Sequence, residues 1–306
     1  MYPELVRLFG GGLHTYGVLI AVGFLLAVVM TTRQARREGT DPDRLLDLGF
    51  WLLVGGFVGA RLLFILTDLG YYVGSCRGTG SARTTGQVVW DCTRALHVWE
   101  GGLVWYGGFL AALGVGVFVL HRRRMKILRT ADLIMPSVPL GHFFGRLGCF
   151  AAGCCFGKPT SSALGVAFGP RSLAYSDLGD LLPSGAAATM PLHPTQLYEA
   201  FGELLIFFWL LGLGRRKRFD GQVLLAYLFV YPLLRTVVEV FRGDAARRHV
   251  VAFSTRGLNA LLGLPPEAPS FLSVSQLISL LVAAGALGLW LLLRRQRAAS
   301  VAAPAP

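Results

Sequence analysis

The sequence predicts an all-α polytopic membrane protein with seven transmembrane helices, its N-terminus outside and its C-terminus in the cytoplasm. Three observations carry this. Hydrophobic residues make up 54% of the 306 residues and charged ones 15%, with a mean hydropathy of +0.56, whereas soluble domains hold about a quarter charged residues. The apolar residues gather into stretches long enough to cross a bilayer, which takes about 20 residues. The cations gather at alternate ends of those stretches. A net charge of +12 and a pI near 10.0 would point to nucleic acid in a soluble chain. Here the basic surplus is a topology signal, and no nucleic-acid partner is expected.

The stretches lie near 13–33, 45–69, 102–121, 130–150, 196–214, 221–241 and 272–293. Lys and Arg are retained on the cytoplasmic side, so the clusters orient them. With the N-terminus outside, the short inner segments carry Arg33, Arg36, Arg37 and Arg44, then Arg122, Arg123, Arg124, Lys126 and Arg129. Arg215, Arg216, Lys217 and Arg218 follow, and Arg294, Arg295 and Arg297 close the series. The outer segments are much longer and hold fewer cations. The start, MYPELVRLFGGG, lacks the basic head, apolar core and small-residue site of a cleaved signal peptide. Residues 1–297 form one transmembrane domain with long outer loops near 70–98, 151–195 and 242–271, and 298–306 form a disordered cytoplasmic tail. No internal repeat supports an inverted-repeat transporter.

Three charges fall where apolar residues are expected. Arg61 lies in GARLLF, Arg146 in GHFFGRLGCF and Arg235 in YPLLRTVVEVFR, each toward the outer end of its span. A charge facing lipid costs about 3 kcal/mol or more, so such residues face a cavity or a partner. One reading pairs each Arg with a carboxylate that locks helices together. Glu239, four residues after Arg235, and Glu199 and Glu203 of the fifth span are the candidates. The other reading has the planar donor forks meet in an anion pocket suited to phosphate. For a single Arg the two are balanced; for all three together the pocket is favoured.

Glycine-rich starts at Tyr16-Gly17 and at Gly101-Gly102 through Tyr106-Gly107-Gly108 allow close backbone approach. Tyr16 and Tyr106, taken alone, suit the interfacial aromatic belt. The stretch 145–160, GRLGCFAAGCCFGKPT, is the densest unusual segment. Its Cys149, Cys154 and Cys155 contain no CxxC pair and no second cluster, so spacing argues for packing and against a metal. Cys76 and Cys92 share an outer loop, where a disulfide is permitted.

The order TYG, GARLLF, EGGLVWYGG, GRLGCFAAGCCFGKPT, HPTQLYE at 193–199 and RTVVEVFRGD at 235–244 resembles the prolipoprotein diacylglyceryl transferase family across most of the chain. The resemblance implies an enzyme of the bacterial inner membrane with a periplasmic N-terminus. Such an enzyme moves the diacylglyceryl group of phosphatidylglycerol onto the lipobox cysteine of a prolipoprotein signal peptide, and the resemblance implies no cofactor and no metal. A thiolate attacks the glyceryl carbon and glycerol phosphate leaves. Residue by residue, it implies that Arg146 holds the phosphate and that Arg235, oriented by Glu239, stabilises the leaving group or the thiolate. Tyr16, Tyr106 and Gly157 join the site, with Arg61, His193, Tyr198, Glu199 and Arg242 binding substrate or shaping its entrance.

The chain also departs from the family pattern. Cys149 stands where Asn is common, Cys154 where Glu is common, and Tyr106 where many members have His. A phenol titrates near 10 and an imidazole near 6.5, so the thiol-activating base is not named by the motif. Three further readings remain open: an anion transporter, a non-catalytic lipid-binding protein, and a divergent member with another acceptor.

Overall fold

The computed structural model describes residues 4–8, 11–77, 93, 96–97, 102–243, 249–253, 256–265, 267 and 271–302. The elements run β1 (Glu4–Leu8), β2 (Gly11–His14), α1 (Thr15–Arg37), α2 (Pro42–Thr67), α3 (Leu69–Arg77), α4 (Trp105–Arg122), α5 (Ile127–Ile134) and α6 (Ser137–Ala152). They continue with α7 (Leu173–Asp177), α8 (Thr195–Gly214), α9 (Gln222–Phe241), β3 (His249–Phe253), α10 (Arg256–Leu261), β4 (Phe271–Ser273) and α11 (Val274–Ala302). β1 and β2 pair antiparallel, Glu4 opposite His14 and Leu8 opposite Gly11. β3 and β4 pair antiparallel with His249 opposite Ser273.

Six of the described helices are long and apolar enough to cross a membrane: α1, α2, α4, α8, α9 and α11. The protein is therefore a polytopic membrane protein. The stretch expected as the fourth span divides at Met135-Pro136 into α5 and α6. Pro136 lacks an N–H and cannot continue the α5 hydrogen-bond ladder. α5 also has a task of its own. Its Asp132 is buried and accepts the backbone N–H groups of Gly221 (2.9 Å), Val223 (2.9 Å) and Leu224 (3.0 Å). Helix starts leave such donors unsatisfied, so this carboxylate caps α9 from outside its sequence. What remains, α6, has 16 residues and a length of about 24 Å. That is shorter than the roughly 30 Å of a hydrocarbon core.

The chain divides into two compact units, residues 35–127 and residues 1–34 with 128–306. In the first, α2 packs on α4 through small residues. A Cβ on Gly59 would stand 2.6 Å from the Gly107 carbonyl oxygen, so the backbones touch, as membrane helices with small interfaces allow. Arg123 at the end of α4 pairs with Asp47 of α2.

In the second unit α6 packs on α8, α8 on α9 and α9 on α11, with α1 crossing α6 where Gly23 meets Phe144. Ile206, Leu210, Val223, Ala226 and Tyr227 form the apolar centre between α8 and α9. Phe156, Phe168, Ala174 and Leu192 form a smaller centre beneath the segment from Gly153 to Pro194. α11 continues to Ala302, so residues 298–302, expected in a disordered tail, extend the last helix.

Candidate functional site

The site begins with residues one helical turn apart, which share a face. On α6 these are His142 and Arg146; on α8, Glu199 and Glu203; on α9, Tyr227, Tyr231, Arg235 and Glu239. Arg146 Nη2 donates to Glu199 Oε1 at 2.9 Å, and Arg146 Nε donates to His142 Nε2 at 3.2 Å. If His142 Nε2 accepts, Nδ1 carries the proton, and Nδ1 lies 2.6 Å from Glu203 Oε1. Tyr231 donates to Glu199 Oε1 at 3.3 Å and Tyr227 to Glu203 Oε1 at 3.4 Å. Arg235 closes the row: its Nη1 is 3.9 Å from Glu199 Oε2 and its Nη2 is 2.7 Å from Glu239 Oε2.

Glu199 is thus the shared anion of two guanidinium groups from different helices. It is 1% exposed and Glu203 is 0% exposed. Taking such charges out of water is expensive, and good geometry only offsets the cost. Glu239 is fixed from α11 as well. Ser273 Oγ donates to Glu239 Oε1 at 3.0 Å, while Ser273 and Gln276 bond each other's backbone N–H at 3.2 and 2.9 Å. That reciprocal pair is a capping box, so the start of α11 is built onto the charged row. Arg235 Nη1 is buried and has no hydrogen-bond partner among the described residues.

A second group of residues adjoins the row through Gly157. Its N–H donates to the His193 carbonyl at 2.9 Å, and the next N–H, of Lys158, donates to the Phe241 carbonyl at 2.7 Å. Three chain segments meet there. A Cβ on Gly157 would lie 2.6 Å from His193 O and 2.7 Å from Phe241 O, closer than real side chains come. The contact fixes Arg242, which faces Gly157 across an isolated antiparallel bridge, is buried, and lies in electrostatic reach of both Arg146 and Arg235. His193 Nδ1 bonds the Tyr198 hydroxyl at 3.0 Å, and the rings of His193, Tyr198 and Phe241 meet edge to face. Burial holds the His193 imidazole below its ordinary pKa, favouring the neutral ring. With Leu234, Val237 and Val238 these rings line a cleft of about 380 Å³.

The structure brings Arg146, Arg235, Glu239, Glu199 and Arg242 together, with Gly157, His193 and Tyr198 beside them. Tyr16 opens α1 against α6, where a Cβ on Gly148 would meet its ring at 2.9 Å. Arg61 and Tyr106 belong to the other unit. Arg61 is buried, donates to Gly102 O at 3.1 Å and His97 O at 3.3 Å, and lies over the Phe64 ring. Tyr106 is 63% exposed and meets Trp105 edge to face. Cys92 lies outside the described residues, and with it the Cys76–Cys92 pairing. Sequence reasoning missed His142, Tyr231, Tyr227, Ser273 and Gln276. The signal for His142 was present: a His four residues before an intramembrane Arg shares its face. The three cysteines set aside by spacing have sulfur atoms within 4.8 Å of one another.

Buried guanidinium groups locked by carboxylates, beside an apolar cleft and among helices of membrane length, define a polytopic membrane protein with a charged site in its helical core. The model of the prolipoprotein diacylglyceryl transferase family matches residues 3–292, and the chain belongs to that family. Among similar proteins, a phosphatidylglycerol–prolipoprotein diacylglyceryl transferase of Clostridium tetani is 31% identical over 255 residues, covering 83% of this chain and 90% of the relative. One of the same name from Geobacter sulfurreducens is 32% identical, covering 82% of this chain and 85% of the relative. A third, from Synechococcus elongatus, is 29% identical, covering 87% and 90%.

Proposed function

We propose that the protein, a diacylglyceryl transferase by family, moves the diacylglyceryl group of phosphatidylglycerol onto the lipobox cysteine thiol of prolipoproteins, the first step of lipoprotein maturation. The observation that carries this reading is the convergence of Arg146 and Arg235 on Glu199, with the buried Nη1 donor of Arg235 unspent.

In this account Glu199 and Glu239 aim the two guanidinium groups, and their remaining N–H donors take the phosphodiester oxygens. The substrate thiol gives up its proton to solvent water and its sulfur attacks the glyceryl carbon. A C–S bond forms as the C–O bond to phosphate breaks, and glycerol phosphate departs with an added negative charge. Donors already oriented in a site of low dielectric favour that growth of charge. Arg242 contributes positive potential near both arginines. The cleft behind His193, Tyr198 and Gly157 receives an acyl chain, since its walls are mostly Leu, Val and Phe.

Tyr16, in electrostatic reach of Arg146, serves as a hydroxyl donor at the edge of the headgroup site. Arg61 acts through the Gly102 turn that it holds, and Tyr106 sits at the start of the helix that follows. The topology proposed with this function has seven spans. α6 and its flanking turns supply the seventh, the N-terminus is periplasmic, the C-terminus is cytoplasmic, and the membrane is the bacterial inner membrane. The cation clusters support this orientation.

The test is expression in a strain depleted of its own transferase, with lipidation of a reporter precursor followed by mass. The expected result is a thioether-linked diacylglyceryl group on the precursor cysteine. Unmodified precursor with folded protein in the membrane contradicts the proposal.

A further inference from the structure

Cys149, Cys154 and Cys155 take no part in the chemistry above, yet the fold assembles them. Cys149 lies in the last turn of α6. The helix ends at Gly153 with φ 74°, where Gly153 N–H bonds Phe150 O at 3.2 Å and Cys154 N–H bonds Cys149 O at 3.1 Å. Cys155, at φ 57°, turns the chain a second time. Both carbonyls of the pair are tied to the first turn of α8: Gln196 Nε2 donates to Cys154 O at 2.7 Å and Thr195 Oγ1 to Cys155 O at 2.8 Å. The three thiols are half-buried, and their sulfur atoms all lie within 4.8 Å of one another.

We propose that Cys149, Cys154 and Cys155 form a binding site for one thiophilic d10 cation, Cu(I) or Zn(II), at the C-terminal end of α6. Metal–sulfur bonds near 2.3 Å place three sulfurs about 3.8 to 4.0 Å apart, so closure from the present spacing takes less than about 1 Å. Rotation of three short side chains supplies that. Thiolate donors select Cu(I) and Zn(II) over hard cations. The backbone anchors to Thr195 and Gln196 fix the donor geometry before any cation arrives, as outer partners do in metal sites.

The electrostatics agree. Arg242 and Arg146 both lie in electrostatic reach of Cys155. Binding forms three metal–sulfur bonds, and the three thiols release their protons to solvent. The same guanidinium groups offset the negative charge of the resulting complex. A helix end with two reversals, and not a CxxC turn, brings the sulfurs together.

The test uses the full chain in detergent, reduced, stripped with a chelator, and free of lipid substrate and precursor. Zn(II) and Cu(I) are titrated separately against chromophoric chelators, and thiol alkylation is mapped by mass spectrometry before and after loading. The expected result is one equivalent bound of at least one of the two cations, with Cys149, Cys154 and Cys155 protected together. Affinity should fall by about 100-fold or more in each of Cys149→Ser, Cys154→Ser and Cys155→Ser. Failure of both cations to bind stoichiometrically, equal affinity in the serine variants, or a disulfide within the cluster overturns the proposal. Should a variant fail to fold, the protection pattern of the unaltered chain decides. No transfer reaction is read, so failure here leaves the transferase reading standing.

Discussion

Replacing Glu199 with Gln tests whether one carboxylate aims both arginines. The amide has the same shape, keeps an acceptor for Arg146 and Tyr231, and removes the charge. At an effective dielectric near 20, the gross attraction of Glu199 is roughly 6 kcal/mol to Arg146 at 2.9 Å and roughly 4 kcal/mol to Arg235 at 3.9 Å. Desolvation cancels much of that, and removing one member of a buried set costs about 3–5 kcal/mol net. In place of the carboxylate oxygen facing Arg235, the variant presents either an NH2 group or a neutral oxygen, so two buried cations lose their common anchor. The loss should fall on orientation in the transition state. We expect kcat/KM for lipidation of a precursor peptide, in vesicles of defined phosphatidylglycerol content, to drop about 100- to 1000-fold, equivalent to about 3–4 kcal/mol. Glu199→Asp keeps the charge and withdraws it by about one C–C bond, ~1.5 Å, and should lose about tenfold. Near-normal turnover by a folded Glu199→Gln enzyme refutes the shared-anchor argument.

Three other perturbations probe separate parts of the account. Arg146→Lys retains the charge but cannot serve Glu199 and His142 from one rigid fork, and its kcat should fall about 100-fold or more when measured on the same vesicles. Gly157→Ala forces a methyl into backbone oxygens 2.6 to 2.7 Å away; a stability loss of about 1–3 kcal/mol should appear as a lower unfolding midpoint in detergent. Because burial lowers the His193 pKa, the unfolded chain binds the extra proton first as pH drops. Stability supplied by the neutral ring is therefore present above about pH 6.5 and lost as pH falls below it. A His193→Asn chain should show a flatter midpoint between pH 7.5 and 5.5, and an equally steep curve would remove His193 from that role.

Membrane class and most of the site were legible in the sequence because intramembrane charge is costly and so stands out. Arg146, Arg235 and Glu239 are conspicuous on that ground alone, and one-turn spacing already joined the last two. The place of Glu199 was less visible. Pairing across helices depends on how α6, α8 and α9 are rotated, and no local pattern encodes that rotation. Ser273 was hidden for a similar reason, since it reaches Glu239 from a helix start 34 residues away in sequence. The fourth stretch reads as one span by hydropathy, but its Asp132 is committed to the first N–H groups of α9 and Pro136 separates the two helices. Arg61 looks like Arg146 in sequence, and the fold places it in the other unit, where it donates to the backbone carbonyls of Gly102 and His97.

The most direct measurement is a structure of the full chain with phosphatidylglycerol bound in lipid or detergent. The account predicts the phosphate within hydrogen-bonding distance of Arg146 and of Arg235 Nη1, with Glu199 still holding both arginines from behind. A phosphate bound away from the two arginines, with both closed on their carboxylates, would contradict it.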